Sequence, residues 1–441
     1  MKLYTLIASL LFSLGIFAQE QPNTSGAKIW TLEECIAYAL AHNITIQQAN
    51  INKQLTEVAL MESKSSRLPS LSGTASQNLT NGNTIDPITS DFVSQQINST
   101  TLSLNTSVTL FQGNQINNQI KQSQLLVDQY QLYAQESQNN ITLNITEAYI
   151  QLLYAKEAIK IAENNLSTSQ KEEERAKALF DAGSIAIRDY TDAKSQTATN
   201  NYNLIAAKNT YDLQLLSLKQ LLELSSSDSF AIVDGVEYLP ENVPELQEVY
   251  AEAVAILPEI NASKTNVLVS EKALDIAKGG YLPTLSLTGS LGSGYTSTQA
   301  LNFTDQFDGN FNQRVGLSLN VPIFNKNKTK AAVQEAQLNI DNAALQLAQE
   351  EKDLYVKVET AWKNTVATQS QLNAAYIARN AAKESYRLAQ KQYELGALST
   401  TDLIFSQNTY TNAEQNYIQA KYLNLLYNQL LQFYQGNQIS I

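Results

Sequence analysis

One cysteine and one histidine occur in 441 residues. Cys35 has no partner for an intrachain disulfide, and His42 has no second imidazole with which to share a metal ion. No nucleophile–base pair, metal cluster or phosphate loop can be assembled from the remaining residues at normal spacing, so the chain is not expected to be an enzyme and needs neither cofactor nor metal. Beyond residue 18 no run of roughly 18 to 20 apolar residues occurs, so a membrane-spanning part would have to be a β-barrel. Charge is scarce as well, at 16% of residues, and the formal net charge of -12 argues against nucleic acid as a partner. Polarity is carried mainly by uncharged Asn, Gln, Ser and Thr, as expected of a water-filled conduit or a long exposed coiled coil rather than a disordered tail.

Glycine and proline are missing in a particular pattern. Neither occurs over the 69 residues from Asn114 to Ala182, nor over the 71 residues from Asn325 to Leu395. With the helix breakers excluded, each stretch is predicted to form one helix about 100 Å long, far beyond the ordinary globular helix. A single glycine follows each, Gly183 or Gly396, and then a second breaker-free run, Ser184 to Asp234 or Ala397 to Gln435. Each half thus reads as a helical hairpin turning at a glycine. Ala375, Ala382, Ala389 and Gly396 recur every seven residues beside Tyr386 and Tyr393, which is coiled-coil spacing with small knobs.

The period changes elsewhere. Leu102, Leu104, Thr106, Val108 and Leu110 alternate with polar residues, as do Val315, Leu317, Leu319 and Val321, which predicts strands with one apolar face. Segments opening at Leu68-Pro69-Ser70-Leu71 and Leu282-Pro283-Thr284-Leu285 supply their partners. Strands of about ten residues suit a tilted barrel strand, and four cannot close a barrel alone, so several protomers must contribute. Tyr295, Phe303, Phe307, Phe311, Phe92 and Phe111 fall near strand ends, where an aromatic girdle or ordinary loop packing would place them.

The two halves align at a nearly constant offset. Leu68-Pro69 meets Leu282-Pro283 at 214, and Phe111 meets Phe324, Ala148 meets Ala361 and Gly183 meets Gly396 at 213. The expected organisation is a signal peptide over 1–18, from Lys2 through the apolar stretch to Ala18, followed by two repeats. The first, 19–241, holds short helices over 31–66, strands at about 70–80 and 100–111, and a helical hairpin over 114–228. The second, 242–441, holds helices over 244–279, strands at about 284–295 and 313–323, and a hairpin over 325–435.

Taken together, these residues resemble the TolC-like outer membrane factor family. The resemblance rests on the opening Trp30-Thr31-Leu32-Glu33-Glu34-Cys35-Ile36-Ala37-Tyr38-Ala39-Leu40 with Asn43, the Leu-Pro-x-Leu strand openings, Leu110-Phe111-Gln112-Gly113, and the two glycine-centred tips. It implies a homotrimer with a 12-stranded β-barrel, four strands per protomer, in the bacterial outer membrane, continuous with an α-helical coiled-coil barrel in the periplasm. It further implies contact with outer-membrane lipid, a periplasmic adaptor, and an inner-membrane pump or ABC exporter. The function so implied is an exit duct for efflux or type I secretion, with cargo unspecified. An exported coiled-coil structural or adhesive surface protein is the alternative, and it leaves the alternating strands without a use.

The resemblance also assigns site residues. Adaptor docking falls on Gly183, Ser184 and Ile185 and on Leu395, Gly396, Ala397 and Leu398, although glycines there would also serve as plain helix caps. The periplasmic gate falls on Asp189, Tyr393 and Asp402; a threefold ring of carboxylates in a constriction selects cations and repels itself. Asp402 reads equally as part of a capping box with Ser399. Phe405 stands where relatives often place a second aspartate and Leu398 where an arginine can lock the tip, so closure is expected to be more apolar; Asp192 could restore part of the charge.

Overall fold

The computed structural model describes residues 29–233, 235–236 and 242–441. The expected signal peptide and the junction between the halves at residue 241 lie outside the described residues. The chain is mainly helical, with one four-stranded sheet at one end of two long hairpins.

After the short strand β1 (Ile29–Trp30), Thr31 caps helix α1 (Leu32–His42) with a reciprocal capping box to Glu34. Asn43 ends α1 in an extended conformation and its carboxamide oxygen accepts from the Thr45 N–H, starting α2 (Ile44–Ser65). Strands β2 (Ser70–Ile85) and β3 (Phe92–Gln112) follow, then α3 (Gln115–Asp181) and α4 (Ile187–Leu221). The first half ends with β4 (Ala231–Ile232), and the second opens with α5 (Leu246–Ile256) and α6 (Pro258–Gly279), the proline placing the break that Asn43 makes in the first half. It continues with β5 (Thr284–Thr296), α7 (Phe303–Gly309), β6 (Asn312–Asn320), α8 (Lys328–Glu394) and α9 (Thr400–Tyr434). Helices α3 and α8 have 67 residues each, and α4 and α9 have 35 each.

Two features depart from the sequence expectation. Strands β2 and β3 reach beyond about 80 and begin before about 100, because Asn81, Gly82 and Asn83 keep pairing with Gln96, Gln95 and Ser94 to the end of the hairpin. The loop between β5 and β6 contains the helix α7, seven residues capped by Asn302, too short for periodicity to reveal.

The four strands form one antiparallel sheet in the order β2-β3-β5-β6. The register shift between Thr109 and Phe111 inserts a bulge where β3 turns toward α3. The helices keep the same order. Next to the sheet the neighbours run α2-α3-α6-α8; at the far end they run α4-α3-α9-α8.

The main core collects halfway along the long helices. Trp30, Leu32, Cys35 and Ala39 pack on Ile145, Tyr149, Leu152 and Leu153 of α3, with Leu218, Leu222 and Leu425 closing the cluster. β1 and β4 pair in parallel here, and the Tyr149 hydroxyl donates to the Trp30 carbonyl at 2.9 Å. A second cluster puts Val249, Ala253, Leu257 and Ile260 against Leu354, Val358 and Ala361 of α8, and the Trp362 indole donates to the Pro244 carbonyl at 2.8 Å. Each long helix is thus clasped at mid-length by its own half's short helices.

Candidate functional site

Both hairpins end in the same turn. At the first, the Ser184 N–H donates to the Leu179 carbonyl and the Gly183 N–H to the Phe180 carbonyl; at the second, Ala397 donates to Gln392 and Gly396 to Tyr393. This is the Schellman pattern, which needs a left-handed residue, and the two glycines have φ of +73° and +71°. A Cβ on either would meet nothing within 4 Å, so the glycine requirement is conformational and the backbone of both tips stays uncovered. Ser184 and Ala397 are exposed, Leu395 is 84% exposed, and Ile185 is half-buried. Leu398 instead turns into its own hairpin, against a cluster of Tyr386, Ala389 and Leu403.

The candidate gate residues Asp189, Asp192, Asp402 and Phe405 lie in the first turns beyond these tips and Tyr393 in the last turn before the second, but no hydrogen bond or ion pair joins them to one another among the described residues. The Asp189 carboxylate, half-buried in the first turn of α4, has no such partner among the described residues. Asp192 lies 3.7 Å from the Arg188 guanidinium one turn away, so its charge is already paired within the helix. Asp402 is engaged with the cap: its N–H donates to the Ser399 hydroxyl at 3.1 Å and its carboxylate accepts from that hydroxyl at 2.7 Å. The reciprocal bond to the Ser399 backbone that a full capping box requires is replaced by this side-chain bond. Phe405 is 74% exposed.

Tyr393 is held by a residue that sequence reasoning missed. Arg175, the sole arginine of α3, places its guanidinium carbon 5.3 Å from the Tyr393 ring centroid and donates to the Glu394 carbonyl at 3.0 Å. Two turns further from the tip along α8 the Tyr386 hydroxyl donates to Glu172 at 3.2 Å and accepts from Gln390 at 2.8 Å. Burial pushes the Glu172 carboxyl above its usual range, against the hydrogen bonds from Tyr386 and Gln390, and burial with the adjacent carboxylate raises the Tyr386 hydroxyl. The two hairpins of one chain are therefore tied together near their tips through α3 and α8. The only local signal was an isolated arginine two turns before a helix end.

At the opposite end the sheet has two unlike faces. One row of neighbours across the strands reads Val108, Leu287 and Leu317; the next on that face reads Leu71, Thr106, Gly289 and Val315, and below the bulge come Phe111, Leu285 and Leu319. The other face reads Ser72, Asn105, Ser290 and Arg314, then Ser70, Ser107, Thr288 and Gly316. Leu71, Val315 and Leu317 are 76%, 80% and 66% exposed, a contiguous apolar surface that nothing among the described residues covers. From Leu285 to Ser293 the apolar face extends for about 26 Å along the strand, which at a barrel tilt of about 35–45° rises about 18–21 Å, most of an apolar band about 25 Å tall. Among the described residues no helix is long and apolar enough to cross a membrane.

Residues 35–223 and again 249–437 match the family model described as outer membrane efflux protein. The chain belongs to the outer membrane efflux protein family. TolC of Escherichia coli K12 is 27% identical over 309 residues, 67% of this chain and 61% of that protein, so the chain spans about three fifths of that relative. The CmeC outer membrane channel of Campylobacter jejuni shares the fold with a TM-score of 0.81 at 18% identity, covering 97% of this chain and 91% of that one. VceC of Vibrio cholerae does so with a TM-score of 0.78 at 15% identity, covering 93% and 97%. The TolC-like resemblance read from the sequence is thereby borne out. Members of the outer membrane efflux protein family are outer-membrane channel proteins, not enzymes, and the chain accordingly lies in the outer membrane with its helical part in the periplasm.

Within this family frame the sheet is the outer-membrane end and the glycine tips are the periplasmic end. The aromatic residues proposed for a girdle divide. Tyr295, Phe303 and Phe307 cluster at the distal end of the sheet, Tyr295 tilted against Phe303 at 5.4 Å and Phe303 stacked on Phe307 at 5.8 Å between centroids, while Phe111 marks the end nearest the helices. Phe92, at the start of β3, is 74% exposed beyond the cluster.

Proposed function

We propose that three copies of this chain close into one tunnel, a twelve-stranded barrel continuous with a helical barrel, that serves as the passive exit duct of a tripartite efflux or type I secretion system. The observation that carries this reading is the shared order of the layers. The sheet runs β2 to β6, and the helices run α2 to α8 near it and α4 to α8 at the far end, so both edges are open at every level. Those edges also carry uncovered apolar stripes: Ile51, Leu55 and Val58 on α2, Tyr202 and Ile205 on α4, Leu338 and Leu345 on α8. An open sheet edge is a pairing template, and closure by identical copies removes it. Each half is read as a repeat of the other, supported by the matched lengths of the long helices and by the double family match.

The polar sheet face lines the water path and the apolar face meets lipid. The tips Ala182 to Ile185 and Leu395 to Leu398 take the periplasmic adaptor, through which an inner-membrane pump or ABC exporter delivers cargo. Asp189, unpaired among the described residues, is the primary gate carboxylate; Asp402 joins it at the cost of its cap contact, Asp192 is muted by Arg188, and Phe405 narrows the entrance by apolar contact. The test is planar-bilayer conductance of the purified trimer, wild type against Asp189→Ala with Asp402→Ala. Small cation-selective currents that lose selectivity in the double variant support the duct; trimeric, membrane-inserted protein without any pore returns the helices to a scaffolding or adhesive role.

A further inference from the structure

The apolar face of the sheet contains a groove that a conduit does not need. It lies toward the distal end, has a volume of about 420 Å³, and is formed by Ala75, Leu102, Leu104 and Leu291 with Phe307 and Phe311 as the wall; no charged side chain lines it. Its floor is low because Gly73 and Ala75 stand opposite Leu104 and Leu102 on β3. Its wall is rigid. The Gln306 carboxamide accepts from the Thr296 N–H at 2.9 Å and donates to the Thr296 and Leu301 carbonyls at 3.0 and 2.8 Å. Asn310 donates to the Gly294 carbonyl at 2.8 Å, and the Ser293 hydroxyl donates to the Phe307 carbonyl. Yet this anchoring leaves Phe307 only half-buried and Phe311, two residues beyond the helix, 56% exposed. In water such a wall has no stabilising reason. On a face continuous with the Leu287, Leu317 and Val315 rows it has one, because the solvent there is hydrocarbon.

We propose that this groove is a binding site for one acyl chain of an outer-membrane lipid, held between the β2–β5 surface and the aromatic wall of α7. The inference rests on the outward orientation of the apolar face proposed above. The lining recognises a flexible hydrocarbon and offers no charge to a protein partner or a polar solute.

The test uses detergent-solubilised full-length protein titrated with phosphatidylethanolamine brominated at mid-chain, a short-range quencher of tryptophan. The native Trp30 and Trp362 sit in the two helical cores, remote from the sheet, and give a constant background. A reporter is placed in the wall by Phe307→Trp, and a control outside the groove on the same face by Leu317→Trp. The expected result is quenching of the wall reporter at a lipid-to-detergent ratio about tenfold below that needed for the control, and loss of this advantage when Ala75→Phe fills the floor. Parallel quenching of both reporters overturns the site and leaves ordinary lipid solvation. A wall reporter shielded at ratios that quench the control also overturns it, showing that protein, such as a neighbouring copy, covers the groove. If neither is quenched, the lipid-facing assignment of the whole face falls with it. Phe311→Trp repeats the measurement from a second wall position should the first substitution disturb α7.

Discussion

Arg175 performs two contacts with one side chain, and only a guanidinium suits both. It faces the Tyr393 ring and donates to the Glu394 carbonyl, joining α3 of one hairpin to the end of α8 in the other. If opening of the entrance separates the two hairpins, this contact favours the closed arrangement. Together a cation–π contact and a hydrogen bond from a charged donor are worth about 1–2 kcal/mol, a shift of about five- to thirtyfold between two states. Arg175→Ala is therefore expected to raise the open fraction by that factor in single-channel records, with Arg175→Lys recovering little because an ammonium lacks the planar fork. Unchanged gating in both variants would show that the hairpins are not coupled at this point. The residue was illegible in the sequence because its partners lie 218 and 219 positions away, and no periodicity within α3 predicts which helix covers it. The tip glycines were legible for the opposite reason: a left-handed residue between two breaker-free runs is a local requirement.

Elements show the same division between local and distant causes. Exclusion of Gly and Pro sufficed to anticipate α3 and α8, because a helix needs only its own backbone bonds. The outer parts of β2 and β3 and the helix α7 were not anticipated, because pairing and anchoring decide them. Asp86 illustrates this. It follows β2, is fully buried, and accepts from the Ile88 and Thr89 N–H groups at 2.8 and 3.0 Å and from the Thr296 hydroxyl at 2.6 Å, with a further bond from Thr298. One carboxylate thus staples the β2–β3 loop to the last residue of β5 and the segment after it. Burial raises its pKa, but the donors outweigh burial and hold it at about 2, below the ordinary carboxylate value. Because the folded value is the lower one, the charged form stabilises the loop above about pH 4, and that contribution is lost as pH falls toward 2. Two pKa units correspond to about 2–3 kcal/mol. Asp86→Ala should lower amide protection at Ile88 and Thr89 at neutral pH by about that amount. The wild type should approach the variant near pH 2, after correction for intrinsic exchange. Equal protection in the two proteins at pH 7 would remove the staple.

At the scale of the whole molecule the open edges make a claim about neighbours that one chain cannot satisfy. The sheet alternates direction from β2 to β6, so β6 of one copy meets β2 of the next antiparallel without reversing the alternation. In such a pair, side chains of one face lie opposite one another. Ser72 of β2 is therefore expected opposite the polar-side positions of β6, of which Gly316, Ser318 and Asn320 are the ones to probe. The native background is quiet, since Cys35 is the only cysteine and is buried. Cysteine introduced at Ser72 and, in turn, at each of the three β6 positions should give on oxidation a ladder that stops at three chains for at least one pairing. Each single variant should stay monomeric on a non-reducing denaturing gel. Species beyond three would mean that the edges propagate rather than close. No cross-link at any of the three positions, in protein shown to be trimeric by light scattering, would mean that the copies meet through the α2, α4 and α8 stripes alone and that each sheet ends in an unpaired edge, an arrangement hydrocarbon penalises at every unsatisfied backbone group.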